Sequence, residues 1–148
     1  MTVPPIPEGY HTVTPWIIGR ETAGLMEFLA AAFGAEDLGG RVVDERGRIG
    51  PAEMRIGDSV VMLGDARPEH PAMQAMLYLY VDDVDATYQI ALSSGATAVQ
   101  PPQDHFYGDR SGGVKDPCGN VWYIATHIED VSPVELKRRA QQAMQGGH

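Results

Sequence analysis

Apolar residues follow two different periods along the chain, and the change from one period to the other divides it into strands and helices. Residues 11–18 alternate loosely and are rich in β-branched side chains, which predicts a strand. A helical period follows, and Gly34 stands where such a helix would end. The apolar positions of this helix are Leu25, Phe28, Leu29, Ala32 and Phe33. Strand-like segments come next, at about 37–45, 49–56 and 59–64.

The same order of elements then begins again. Residues 75–81 predict a strand, the spacing from Val84 to Leu92 predicts a helix, and Gly95 closes that helix. Three more strand-like segments follow, at about 97–100, 110–115 and 120–127. The two helix-ending glycines are 61 residues apart, and Gly57 and Gly119, in the predicted hairpin turns, are 62 apart. The chain is therefore predicted to be an internal repeat of strand, helix and three strands.

This repeat predicts an α+β fold in a single domain. One half leaves a face of its sheet uncovered, so two βαβββ modules are expected to form a curved mixed sheet around a cavity. The domain is predicted at residues 1–136, with modules at about 10–65 and 74–128. A capping box predicts a final helix over 133–144, so residues 137–148 are assigned to the C-terminal helix and tail. The capping-box positions are Ser132, Pro133 and Glu135.

Composition and charge limit the partners of this domain. The 148 residues are 43 % hydrophobic and 21 % charged, which is typical of a globular protein. A net charge of −9 disfavours nucleic acid and anionic membranes as partners. The single cysteine, Cys118, excludes an intrachain disulfide and a cysteine-rich zinc site. With no signal peptide or membrane-spanning run in the sequence, the expected location is the cytoplasm.

Four stretches carry a family resemblance, and they are FLAAAFGAEDLG, AEMRIGDSVVMLGD, LYVDDVDAT and YGDRSGGVKDPCGNVWYIATHIEDVSP. Their order and spacing over residues 10–136 resemble the vicinal oxygen chelate superfamily of glyoxalase I, bleomycin-resistance proteins and extradiol dioxygenases. Within it they resemble an uncharacterised glyoxalase-like (PhnB-like) branch. The resemblance implies the paired βαβββ fold and a homodimer whose subunits can exchange halves. It leaves the activity open, because this fold serves lyases, dioxygenases, epimerases and binding proteins.

The resemblance also places the four metal ligands of the metal-dependent members, usually His or Gln and Glu. They fall near Thr14, Met62, Met76 and Tyr123. A hydroxyl, two thioethers and a phenol do not suit a hard divalent cation, so no cofactor is expected. The alternative is a metal-dependent glyoxalase-like lyase or dioxygenase with a relocated divalent metal site. Its candidate ligands are His11, His105 and His127, and Glu53 is the candidate general base.

Aromatic and thioether side chains are predicted to line the cavity. In the strand at 75–81 they alternate with aliphatic residues that would pack under the helices. Such a lining suits a flat, partly apolar ligand held by stacking, and Arg110 offers a fork for its carboxylate or phosphate group. The predicted ligand-binding residues are Thr14, Trp16, Met62, Met76, Tyr78, Tyr107, Arg110 and Tyr123. The predicted function is therefore small-molecule binding of the drug-sequestering type.

Two alternatives remain open for these residues. The aromatic side chains can instead fill the cavity as an ordinary core. Asp109 and Arg110 can pair with each other or with a neighbouring loop. His127, four residues beyond Tyr123 on the last strand, is interpreted as a residue of the rim or of an interface.

Overall fold

The computed structural model describes residues 2–146 as two four-stranded sheets and three helices. The first half contains β1 (Trp16–Gly19), α1 (Thr22–Phe33), β2 (Glu36–Asp37), β3 (Ala52–Ile56) and β4 (Ser59–Asp65). The second half contains β5 (Met76–Tyr80), α2 (Val84–Ser93), β6 (Thr97–Asp104), β7 (Asp109–Lys115) and β8 (Val121–His127). The chain continues into α3 (Pro133–Gly146).

The two halves have the same topology. The strand orders are β1-β4-β3-β2 and β5-β8-β7-β6, with one parallel pair in each sheet, β1 with β4 and β5 with β8. Ile56 pairs with Ser59, so Gly57 and Asp58 form the predicted two-residue hairpin turn. Gly34 ends α1 in a left-handed conformation, also as predicted. The α+β class and the paired βαβββ modules are confirmed.

Two predicted strands are shorter than expected. β1 begins at Trp16 rather than at residue 11, because Pro15 has no N–H group for the ladder. Of the segment 37–45, only Asp37 belongs to a strand, at the end of β2. The Asp44 carboxylate accepts the backbone N–H groups of Arg46 and Arg48, each at 2.9 Å. Such local bonds hold a turn where a strand was predicted.

Aliphatic side chains from both halves form one core. α1 and α2 contact each other, and the sheets present Leu63 and Ile124 to the same cluster as Leu29 of α1 and Ala91 of α2. The faces turned toward this core carry the buried residues, in the alternation that the sequence predicts. The two modules are therefore joined through their helix-covered sides.

The opposite face of each sheet is turned away from the core, and we call it the open face. On the first sheet the open face carries Trp16, Ile18, Glu53, Arg55 and Met62. On the second sheet it carries Met76, Tyr78, Tyr80, Asp109, Ser111, Tyr123 and His127. Most of the predicted ligand-binding residues thus lie on the two open faces.

The terminal helix begins at the predicted residue. The backbone N–H of Glu135 donates to Ser132 Oγ at 3.2 Å, while the Glu135 carboxylate pairs with Arg138 and Arg139. The predicted division between residues 136 and 137 falls inside α3, and residues 147 and 148 of the predicted tail lie outside the described residues. No helix among residues 2–146 is long and apolar enough to cross a membrane.

Candidate functional site

The open face of the first sheet holds a pocket of about 420 Å³ beside Trp16. The indole lies over Gly64, with Cζ3 3.1 Å from the point where a Cβ would stand on that residue. Since glycine has no side chain, the ring can approach β4 this closely. Trp16 is nearly half exposed, at 48 %, and so has surface left for a ligand. The pocket is lined by Trp16, Ile18, Gly50, Pro51, Gly64, Asp65, Arg67 and His70.

Two charged side chains of this pocket hold its rim in place. Asp65 accepts the backbone N–H groups of Thr22 at 3.0 Å and Ile49 at 2.7 Å. Burial works to raise the pKa of Asp65, but these hydrogen bonds outweigh it and lower the pKa. Arg67 lies 3.4 Å from the carboxylate of Asp44. Both groups are engaged with the protein, which leaves the Trp16 ring as the contact surface.

The segment before β1 crosses the hairpin of β3 and β4. A hydrogen bond with Glu53, the candidate general base, raises the pKa of the Tyr10 hydroxyl. His11 Nε2 lies 2.9 Å from the backbone oxygen of Asp58. Thr14 is half-buried and precedes the carbonyl of Pro15, which accepts the Met62 N–H at 2.9 Å. Glu53 lies on the open face opposite Met62, and its carboxylate is hydrogen-bonded to the phenol of Tyr10.

A buried carboxylate organises the open face of the second sheet. Asp109 Oδ2 accepts the hydroxyls of Tyr78 at 2.7 Å and Tyr80 at 2.8 Å, and Oδ1 lies 2.8 Å from His127 Nδ1. Only 4 % of Asp109 is exposed. A buried carboxylate is energetically costly unless its oxygens are hydrogen-bonded. The bonds to these three partners offset the cost of burying Asp109.

The strand register brings these groups together. Asp109 on β7 is the direct neighbour of His127 on β8. Tyr80 on β5 is the neighbour of Ala125, whose methyl group leaves room for the tyrosine to reach across β8. The rings of Tyr78 and Tyr80 lie 5.3 Å apart. The hydroxyls point at Asp109, and the rings stay 45 % and 60 % exposed.

Hydrogen bonding shifts the pKa of every group in this cluster. Burial acts to raise the pKa of Asp109, but the bonds from His127, Tyr78 and Tyr80 outweigh burial and lower it. Hydrogen bonds to Asp109 and then Asp130 raise the pKa of His127. Burial, followed by the bond to Asp109, raises the pKa of Tyr78, and the bond to Asp109 raises that of Tyr80. The arrangement favours a carboxylate, an imidazolium and two neutral phenols.

Sequence comparison gives the family. A family model described as the Glyoxalase/Bleomycin resistance protein/Dioxygenase superfamily matches residues 11–124. The chain belongs to this superfamily. Uncharacterized proteins from Mycobacterium bovis and Mycobacterium tuberculosis are each 33 % identical to it over 136 residues. These matches cover 84 % of this chain and 89 % and 79 % of the two relatives, respectively. The PhnB-like branch stays a prediction.

Solved structures of the superfamily's fold superpose on this chain. TioX from Micromonospora sp. ML1 has a TM-score of 0.63 at 25 % identity, over 78 % of this chain and 99 % of TioX. A glyoxalase/bleomycin resistance protein/dioxygenase family enzyme from Burkholderia phytofirmans has a TM-score of 0.60 at 19 % identity, over 81 % and 98 % of the two chains.

The four metal-ligand positions implied by the resemblance lie two in each module. Thr14 and Met62 belong to the first module, and Met76 and Tyr123 to the second. Among residues 2–146, no group of three or more His, Cys, Asp or Glu side chains is placed to hold a metal ion. The carboxylates of Asp109 and Asp130 contact opposite nitrogens of His127, so the three side chains cannot share one ion.

The other candidate histidines also lie apart. His11 precedes β1 and contacts Asp58, while His105 precedes β7 and stacks on Tyr107 with ring centroids 5.1 Å apart. His11 lies in the first module, while the backbone N–H of His105 donates to the carbonyl of Asp109 at 2.8 Å, so β7 separates His105 from His127. The structure therefore gives no support to the relocated metal site.

Arg110 lies on the face of β7 opposite to Asp109. Its Nε and Nη2 donate to Asp85 at 2.8 and 2.9 Å, and Nη1 donates to Asp104 at 3.1 Å. Its pKa is raised by these two carboxylates. Arg110 is therefore paired with carboxylates of neighbouring segments, which is the alternative to a ligand contact given above. A ligand contact of Arg110 stays a prediction.

Asp109, the centre of the second open face, is not among the site residues predicted from the sequence. Two signals point to it in retrospect. Tyr78 and Tyr80 are two positions apart on β5, so their side chains lie on the same face. Two neighbouring hydroxyls on one face can donate to the same acceptor. The β7–β8 hairpin, turning at 116–120, places Asp109 beside His127.

Proposed function

We propose that this protein is a small-molecule binding protein of the glyoxalase/bleomycin-resistance type that needs no metal ion. It holds an aromatic or anionic ligand by stacking on the aromatic and thioether side chains of the open faces. One observation carries the proposal, namely the exposure of large apolar side chains on the open faces of both sheets. Trp16 is 48 % exposed, Met76 74 %, Tyr78 45 % and Tyr80 60 %. Apolar patches of this kind mark surfaces that a ligand or a partner covers.

The proposed partner that closes the site is a second copy of the chain. The two open faces are turned away from the shared core, and a face from a second subunit would enclose the exposed aromatic and thioether side chains. β5 is also an edge strand, which leaves its backbone groups available beside Tyr78 and Tyr80. The connection at 66–71 is long enough for the modules of two subunits to exchange.

Ligand binding is expected to quench tryptophan fluorescence through Trp16 alone. The other tryptophan, Trp122, is 1 % exposed and lies in the core. A saturable quench by a flat aromatic compound in the wild type should disappear in Trp16→Phe, whose remaining signal comes from Trp122. Trp16→Ala should weaken the affinity about tenfold or more, since stacking on one ring contributes about 1–3 kcal/mol.

Two outcomes contradict this binding function. One is the absence of a saturable quench across a panel of flat aromatic compounds. The other is one Ni, Zn, Fe or Mn ion per chain in protein purified without chelator, which favours the metal-dependent lyase or dioxygenase.

A dimer is expected in solution, with a mass twice that of the 16.0-kDa chain. Met76→Glu, at a position 74 % exposed on the second open face, should shift the equilibrium to monomer because it buries a charge in the interface. Val134→Glu is the matched control, since Val134 is 82 % exposed on α3. Light scattering coupled to size exclusion measures both masses. A wild type that stays monomeric at high concentration contradicts the proposed dimer.

A further inference from the structure

His127 is held between two carboxylates that differ in how firmly they are fixed. Asp109 contacts Nδ1 at 2.8 Å, and its side chain is 6 % exposed. Asp130 contacts Nε2 at 2.7 Å, and its side chain is fully exposed, at 102 %. Asp109 also accepts two tyrosine hydroxyls, whereas the bond to His127 is the one side-chain hydrogen bond of Asp130 among residues 2–146. One carboxylate is built into the sheet, and the other is replaceable.

We propose that Nε2 of His127 is the anchor for a carboxylate or acidic hydroxyl group of the ligand. The Asp130 carboxylate occupies this position in the free chain and is displaced when the ligand binds. The proposal rests on the proposed binding function, because it names the polar group that the bound ligand carries.

The tyrosine rings connect this anchor to the stacking surface. Tyr78 and Tyr80 donate to one oxygen of Asp109, and His127 contacts the other oxygen of the same carboxylate. The path from the tyrosine hydroxyls to Nε2 thus runs through a hydrogen bond to Asp109, its carboxylate, a second hydrogen bond and the imidazole ring. A planar acid stacked on the rings can place its carboxylate at Nε2.

Charge favours the same assignment. With Nδ1 facing the buried Asp109 carboxylate, the ring carries a proton on that nitrogen and presents Nε2 outward. The two carboxylates raise the pKa of His127, which favours the imidazolium that an anion requires. The nearby guanidinium groups are engaged, since Arg110 donates to Asp85 and Asp104, and Arg139 donates to Glu129 and Glu135. His127 lies at the rim of the second open face, with Nε2 on an exposed carboxylate.

The test compares benzoate with benzamide, a neutral compound of nearly the same shape. Wild-type protein is expected to prefer benzoate, and His127→Gln to lower the affinity for benzoate about tenfold with less than about a twofold change for benzamide. Asp130→Asn should strengthen benzoate binding a few-fold, since it removes the competing carboxylate. Asp58→Asn is the charge-matched control, because Asp58 contacts His11 on the other module and should leave the preference unchanged.

Nitrogen NMR of the histidine side chains separates this inference from the binding function. The Nε2 resonance of His127 should move with benzoate and not with benzamide. Equal affinities for the two compounds, or a preference that survives His127→Gln, overturn the anchor while Trp16 quenching still supports stacking. A benzoate-specific shift of His127 without any Trp16 response keeps the anchor and overturns stacking on Trp16. Absence of both signals overturns both.

Discussion

Asp116→Ala is expected to lower the free energy of unfolding by about 3–5 kcal/mol. Asp116 is 3 % exposed, in the turn between β7 and β8. It accepts the N–H groups of Cys118 at 2.8 Å and Asn120 at 3.0 Å, and the indole N–H of Trp122 at 2.9 Å. Alanine leaves these buried donors without an acceptor, and each unsatisfied donor costs about 1–3 kcal/mol.

The effect should extend beyond the turn. Asn120, which donates its side-chain amide to Asp116 at 3.0 Å, accepts the backbone N–H of Ala75 through Oδ1 at 2.9 Å. Losing Asp116 therefore also loosens the start of β5, which carries Met76 and Tyr78.

Urea denaturation with wild-type and variant protein gives the measurement. Asp116→Asn keeps one acceptor oxygen and is expected to lose less, about 2 kcal/mol. A loss below about 1 kcal/mol for Asp116→Ala would show that water or rearrangement satisfies the donors. That result would contradict the expectation that the hydrogen bonds of Asp116 hold the turn between β7 and β8.

The repeat could be predicted because its signals are local. Helical spacing before Gly34 and Gly95, and glycine at both hairpin turns, depend only on near neighbours in the sequence. The strand predicted at 37–45 is longer than the observed one, because Asp44 accepts the backbone N–H groups of its own turn. The hydrophobic period of a sequence contains no information about such side-chain hydrogen bonds.

The candidate site could be predicted only in part. Alternation placed Met76 and Tyr78 on the correct face, since the period of a strand is a local property. The ligand contact of Arg110 stays a prediction, and its guanidinium is bonded to Asp85 and Asp104 on the face of β7 opposite to Asp109. A register shift of one residue would exchange Asp109 and Arg110 between the two faces of β7. The pairing of Asp109 with His127 on the neighbouring strand β8 places Asp109 on the open face.

The register of β7 depends on the backbone conformation at its first residues. Gly108 immediately precedes Asp109, and its carbonyl oxygen accepts the N–H groups of Ile128 at 2.8 Å and Glu129 at 3.1 Å. These bonds connect the turn before β7 to the segment that follows His127. The relative position of Asp109, His127 and Asp130 therefore depends on how closely the two segments approach at Gly108.

Gly108→Ala is expected to lower the free energy of unfolding by about 3–4 kcal/mol. Two costs add up. The φ angle of +98° disfavours any side chain, which accounts for about 1–2 kcal/mol. A Cβ at this position would also overlap the carbonyl oxygen of Glu129, which is backbone and can yield only if the segment after β8 moves. Overpacking of this kind costs about 1–3 kcal/mol.

Gly39→Ala separates the two costs, because Gly39 has a similar φ of +83° and no atom within 4 Å of its Cβ position. It should lose only the conformational part, about 1–2 kcal/mol in the same urea titration. Equal losses for the two variants would mean that the segment after β8 moves away at little cost. In that case Gly108→Ala would still displace His127 from Asp109, and the benzoate preference would fall although Gly108→Ala lost no more stability than Gly39→Ala. A variant that keeps both its stability and its preference for benzoate contradicts the coupling of Gly108 to the site.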